Sequence, residues 1–267
     1  MKHTMNLHLI PDEPLGRINA HLDAIEEREN VKILFAIESG SRAWGFPSPD
    51  SDFDVRFVYA RERDWYLTLS PGRDVIELPL IGDEDINGWD IKKALQLLMK
   101  PNPVLSEWLD SPIRYRWDTD ACSKLQALVD KTLHKKPFLH HYINLGTGQW
   151  RSYIDGKDAV KLKKYFYCLR PALTLRWLRM HDSRPPMNFQ DLRDGTDLPA
   201  AVNSFLDELL AKKKETRELG AGPRLQVPDE LILKEFELAE EECKKGYPKQ
   251  DSLMDGANAL FRELITP

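Results

Sequence analysis

The sequence predicts an α+β protein: a small mixed β-sheet domain with flanking helices over residues 1–118, then an all-helical domain over residues 119–267. Three observations carry this expectation. Val31 to Ile37 (VKILFAI) is apolar and rich in branched residues, the pattern of a buried strand, and it ends at Gly40-Ser41. Residues 52–60 alternate Phe53, Val55, Phe57 and Tyr59 with Asp52, Asp54, Arg56 and Val58, the period of two that marks a second strand. From about Thr119 the texture changes to long helical patterns with no clear strand.

Taken in order, Leu15 to Glu29 places Leu15, Ile18, Leu22 and Ile25 at helical spacing, an amphipathic helix suited to packing on a sheet. The first strand, the Gly-Ser turn leading into a short helix, and the Asp-bearing strand follow. Arg61 to Asp64 is a polar break, and Trp65 to Leu69 reads as a short helix. Arg73 to Leu78 reads as a third strand, with a hairpin turn around Gly82-Asp83 and an antiparallel return over Asp85 to Trp89. Asp90 is placed to cap a helix over Ile91 to Met99. Pro101-Asn102-Pro103 breaks that helix, Val104 to Leu109 forms another, and Tyr115 to Asp118 closes the first domain. Helices are predicted over 120–133, 137–145, 157–179, 200–219, 229–245 and 255–264, separated by glycine and proline interruptions.

Composition narrows the function classes. The chain has 267 residues, 42% hydrophobic and 30% charged, as in ordinary globular proteins. A formal net charge of −5 argues against an extended surface for duplex nucleic acid, while leaving room for a local basic groove. Cys122, Cys168 and Cys243 are scattered and odd in number, implying neither a disulfide framework nor a zinc site. The seven histidines show no metal-ligand spacing. The N-terminus lacks the apolar run of a signal peptide and no segment has the length of a membrane span, so a cytoplasmic protein is expected.

The chemistry concentrates between Glu38 and Asp54. A strand that stops at Gly40-Ser41 and turns into a helix aims backbone N–H groups and a hydroxyl beyond its end, an arrangement suited to phosphate. Gly40 lets the backbone approach closely, Ser41 offers a hydroxyl and an N–H, Arg42 is placed to neutralise phosphate charge, and Glu38 at the same strand end is placed to bind metal or the acceptor or to pair with Arg42. Asp52 and Asp54 share one face of a strand, two residues and roughly 6.5 Å apart. Two carboxylates so close repel unless a cation lies between them, and an oxygen-only pair suits magnesium, or manganese. A Walker-type phosphate loop is excluded, because Phe46-Pro47 stands where Lys-Ser/Thr must follow. Gly146-Thr147-Gly148 likewise lacks the third glycine of a dinucleotide fingerprint.

Apolar strand, Gly-Ser, a gap of ten residues and Asp-Phe-Asp together resemble the nucleotidyltransferase signature of the DNA polymerase β superfamily. The wording Glu-Ser-Gly-Ser-Arg-Ala-Trp-Gly with Ser-Asp-Phe-Asp is similar to one branch, the YcgL-type nucleotidyltransferases, or RNA repair pathway polymerase β family (RlaP-like). Gly88-Trp89-Asp90-Ile91-Lys92-Lys93-Ala94-Leu95 and Asn102 to Leu109 extend the likeness, which is specific from about residue 31 to 115.

The resemblance implies a palm-like catalytic domain that moves a nucleoside monophosphate from an NTP, ATP included, to a hydroxyl on an RNA end, a protein or a small molecule. Asp52 and Asp54 would be metal ligands and catalytic residues. A third carboxylate on a neighbouring strand is implied, for which Asp85 is preferred over Asp90, a helix cap, and over Glu77. Gly40, Ser41, Arg42, Lys93 and Lys164 are the nucleotide-binding candidates. Lys164 belongs to a run in which Lys163, Lys164, Tyr167 and Arg170 gather at helical spacing, with tyrosine available to stack a base. The bland reading of that run is a basic face over an aromatic core stripe, and Lys212 to Lys214 reads as a solvated face. A non-catalytic nucleotide-binding or partner-binding module is the alternative function, although such a module would be expected to lose an aspartate or Gly-Ser first.

Overall fold

The computed structural model describes residues 6–70, 72–80, 82–100, 102–132, 135–215, 220–247 and 252–265. It is α+β, with a five-stranded mixed sheet and a helical second half. The chain divides into two compact units: 1–43, 52–132 and 251–267 make the first, and 44–51 with 133–250 make the second. This grouping differs from a boundary at 118, since residues 119–132 and the C-terminal segment pack with the sheet.

In the first unit, α1 (Asp12–Glu29) leads into β1 (Val31–Glu38), then α2 (Gly40–Ala43) and β2 (Phe53–Arg61). β3 (Val75–Glu77), β4 (Glu84–Asp90), α3 (Ile91–Met99), α4 (Val104–Leu109), β5 (Arg114–Trp117) and α5 (Thr119–Val129) follow. The sheet order is β3-β4-β2-β1-β5. β2 and β4 are parallel and the other pairings antiparallel, so the strand expected to return along β3 does so and also lies beside β2.

The alternation in β2 decides its two faces. Phe53, Val55, Phe57 and Tyr59 are buried against Ile18, Leu22 and Ile25 of α1. Val58 and Ala60 face the other way, into a core with Ile91, Ala94, Leu95 and Leu98 of α3. A register shift between Ile33 and Phe35 turns both Leu34 and Phe35 toward that second core, which a strict period of two does not anticipate. Asp90 caps α3 as expected, accepting the Lys92 N–H at 2.7 Å.

In the second unit, α6 (Lys135–Tyr153) runs on through Gly146 and Gly148, past the expected end at Leu145. β6 (Ala159–Lys161) precedes α7 (Lys163–Met180), then come α8 (Phe189–Asp194), α9 (Ala200–Glu215), β7 (Ala221–Pro223) and α10 (Gln226–Cys243). β6 and β7 form an isolated antiparallel pair. α8 is capped by Asn188, which accepts the Gln190 N–H at 2.8 Å. The core gathers Phe138, Tyr142, Trp150, Tyr165, Phe166 and Phe236, and it includes Phe46 from the loop after α2. The Phe46 ring stacks on Phe166 at 4.6 Å, and its carbonyl accepts a 2.7 Å bond from Lys213 Nζ. Lys213 is therefore buried rather than solvated, and burial lowers its pKa to about 8. The fully buried Glu235 of α10 is held by Arg176 at 2.8 Å and by Arg179. α11 (Met254–Leu264) returns to the first unit, where Ala257 and Leu260 join the core on the α3 side of the sheet.

Candidate active site

Asp52, Asp54, Asp85 and the Gly40–Arg42 turn gather at one end of the sheet. β2 and β4 run parallel in a register that sets Asp54 directly beside Asp85. Asp54 and Asp85 therefore share a face on adjacent strands, spaced about 4.8 Å. Asp52 lies one residue before β2, is exposed, and is close enough to Asp54 to push its carboxyl pKa up.

Between the paired acids lies a side chain that the motif did not single out. Arg56 Nη2 is 2.6 Å from Asp85 Oδ2 and 3.7 Å from Asp54 Oδ1. Its Nη1 donates to the backbone carbonyls of Asp85 at 2.8 Å and Val55 at 3.0 Å. The strand period carries the signal for it: Arg56 is two residues after Asp54 and so shares its face. Burial raises the Asp54 pKa; Arg56 opposes that rise, while Asp85 and Asp52 add to it.

The Gly-Ser turn packs against the same carboxylate. Gly40 has φ +63°, and a Cβ there would stand 2.0 Å from Asp54 Oδ2, so only glycine allows this approach. Ser39 N–H donates to the Asp54 carbonyl at 2.8 Å, tying the turn to β2. Ser41 follows in α2, and Arg42 Nε donates to the Asp52 carbonyl at 3.2 Å with its guanidinium 3.9 Å from the Phe53 ring centre. The turn, Arg42 and both motif aspartates are thus one bonded cluster.

Glu38 does not take Arg42 as its hydrogen-bonding partner. It is fully buried, accepting the Asp54 N–H at 2.9 Å on Oε1 and the Tyr115 hydroxyl at 2.5 Å on Oε2. Burial pushes its pKa up to about 8, against the pull of those two hydrogen bonds. It braces the backbone of Asp54 from the α1 side of the sheet. Tyr115 is a second participant the motif did not reveal, because only the β1–β5 pairing brings it there.

The other candidates of the first unit, Asp90, Lys93 and Glu77, stand apart from these aspartates. Asp90 ends β4, five residues and roughly 16 Å along the strand from Asp85. It is buried, caps α3 and accepts from the Tyr66 hydroxyl at 2.9 Å. Lys93, in the first turn of α3, starts from that far end and pairs with Asp74 at 3.2 Å rather than joining the aspartates. Glu77 is held by Arg73 and Asn87, both at 2.9 Å. Lys164, in the second unit, lies over the rings of Tyr153 at 4.0 Å and of the exposed Tyr167 at 4.7 Å.

Asp52, Asp54 and Asp85 offer the all-oxygen donor set that a hard divalent cation takes, and the Gly40 backbone packs directly against Asp54 Oδ2. Among the described residues no three carboxylate, imidazole or thiol groups are gathered tightly enough to hold an ion jointly, and Arg56 occupies the space between two of the acids.

The RNA repair pathway DNA polymerase beta family matches residues 16–263. The chain is 38% identical over 249 residues to the uncharacterized protein YcgL of Bacillus subtilis strain 168, covering 93% of this chain and 95% of that one. The match extends well past the Gly-Ser and Asp-Phe-Asp segment and takes in nearly the whole helical second unit. The chain belongs to the RNA repair pathway DNA polymerase beta family, a polymerase β-like nucleotidyltransferase family implicated in RNA repair.

Proposed function

We propose that this protein transfers a nucleoside monophosphate from an NTP to a hydroxyl acceptor, with an RNA end as the first acceptor to test. One observation carries the reading: Asp54 and Asp85 stand in register on adjacent parallel strands, with the Gly40 backbone closed against the Asp54 carboxylate. Family membership supports it and favours a nucleic-acid acceptor over a protein hydroxyl or a small molecule.

Asp54 and Asp85, the two carboxylates in register, would hold Mg2+, with Mn2+ as a substitute and Asp52 drawn in as a third ligand. Bound there, a divalent cation supplies positive charge to the triphosphate and makes the attacking hydroxyl more acidic. Gly40 and Ser41 present backbone and hydroxyl donors to the phosphates, and Arg42 adds positive charge beside Asp52. The acceptor oxygen forms a bond to the α-phosphorus as the bond to the bridging oxygen breaks and pyrophosphate leaves. Asp85, 45% exposed, takes the acceptor's proton. Glu38 and Tyr115 keep the Asp54 backbone in place from behind.

The test is incubation of the whole chain with each α-phosphate-labelled NTP, Mg2+ or Mn2+, and RNA, protein or small hydroxylic acceptors. Label in an acceptor with stoichiometric pyrophosphate release is the expected result. NTP binding with transfer to no acceptor would instead favour a non-catalytic nucleotide-binding module. No helix among the described residues is long and apolar enough to cross a membrane.

A further inference from the structure

We propose that Arg56 is a built-in counter-ion of the acidic pair, holding Asp54 and Asp85 together and opposing divalent-cation binding until a nucleotide supplies negative charge. The inference rests on the reading of these aspartates as a metal site.

The guanidinium contacts both acids through a single nitrogen, Nη2, at 2.6 Å from Asp85 and 3.7 Å from Asp54. Its other end does not depend on them: Nη1 is tied to the carbonyls of Val55 and Asp85, and the side chain is only 20% exposed. Anchoring by backbone keeps this charge in the site whatever the carboxylates bind. Arg56 is the strongest opposing charge on Asp54, and Arg42 adds a weaker one. Arg42 is engaged at the Asp52 carbonyl and the Phe53 ring, and Asn87, in register with Arg56, donates to Glu77.

Two consequences follow from charge alone. A fixed cation touching the ligand carboxylates repels an incoming divalent ion, and a like charge this close shifts a binding equilibrium by about one to three powers of ten. A triphosphate brings several negative charges and offsets that repulsion, so ion and nucleotide bind with positive coupling, and each tightens the other by the same factor. An arginine two residues from a motif aspartate thereby makes the site take up its ion together with NTP rather than before it.

The experiment is Mn2+ binding to the full-length protein, read from the electron paramagnetic resonance signal of free Mn2+, with and without a non-hydrolysable NTP analogue. The proteins are wild type, Arg56→Met, Arg56→Lys and Asp54→Asn. Arg56→Met is expected to bind Mn2+ alone about ten-fold or more tightly than wild type. It is also expected to gain less from the analogue. Arg56→Lys keeps the charge and is expected to behave nearer to wild type, which keeps the test valid should the Met variant fold poorly.

Equal or weaker Mn2+ binding by Arg56→Met, with coupling to the analogue unchanged, overturns the counter-ion role and leaves Arg56 as a residue that orients Asp85. If Arg56→Met does not fold, weak coupling in wild type or tight nucleotide-free binding by Arg56→Lys overturns it equally. Mn2+ binding insensitive to Asp54→Asn overturns the metal-site reading itself, a separate failure.

Discussion

Replacing Gly40 by alanine separates backbone strain from damage to the acidic site. Gly40 has φ +63°, where an L residue costs about 1–2 kcal/mol relative to glycine. For a unit of this size that is a fall in melting temperature of about 2–8 °C. The larger effect is steric. The new Cβ would stand 2.0 Å from Asp54 Oδ2 and 2.8 Å from its Cγ, inside any tolerated contact, so the carboxylate must turn away. Misplacing a reacting group by about 1 Å costs on the order of 10²-fold in rate.

Gly82→Ala is the matched control, because Gly82 has the same φ of +63° and a methyl group added there would meet nothing within 4 Å. Both variants should show the strain cost by differential scanning fluorimetry, with Gly40→Ala losing about 1–3 kcal/mol more from its clash with Asp54, and only Gly40→Ala should lose single-turnover nucleotidyl transfer. Transfer by Gly40→Ala within about ten-fold of the Gly82→Ala rate would refute the claim that the turn packs on a working carboxylate.

Three further outcomes are expected. Glu38, raised from 4.5 to about 8, folds more readily when neutral, so its contribution is complete below about pH 4.5 and lost as pH rises to about 8. Urea unfolding at stepped pH should show that decline in wild type and its removal in Glu38→Gln. Asp54→Asn should abolish transfer while unfolding at the same or higher urea at neutral pH, because burial and the neighbouring Asp85 and Asp52 disfavour its charge. A clear loss of stability there would count against that electrostatic account. Asp85→Asn should eliminate transfer, whereas Asp90→Ala should keep it and lose about 1 kcal/mol of helix-cap stability, read from parallel activity and denaturation curves. The reverse pattern would give Asp90 the catalytic role.

Much of this protein is legible in its local sequence pattern. The period of two in residues 52–60 puts Asp52 and Asp54 on one face, and it puts Arg56 there with them, although the motif draws the eye only to the acids. Asp90 as a helix cap follows from short-range chemistry, a carboxylate before an apolar helical run, whereas Asp85 on a strand beside the Asp pair is implied by the family resemblance and rests on the long-range β2–β4 pairing. Tertiary structure alone decided the partners of Glu38, Lys93 and Lys213, because each depends on which strand or helix packs alongside.

Glu38 and Tyr115 are 77 residues apart and meet only because β5 adds to β1. Lys213 reads as one of three consecutive surface lysines, yet its ammonium lies over the Phe46 and Phe166 rings at 4.5 and 5.3 Å and donates to the Phe46 carbonyl. Lys93 sits in a basic pair at a helix start, but a parallel β4 carries it to the end of the sheet away from Asp85. Periodicity records which face a residue takes within its own element; the register between elements, set by burial of both faces of the sheet, determines what it meets there.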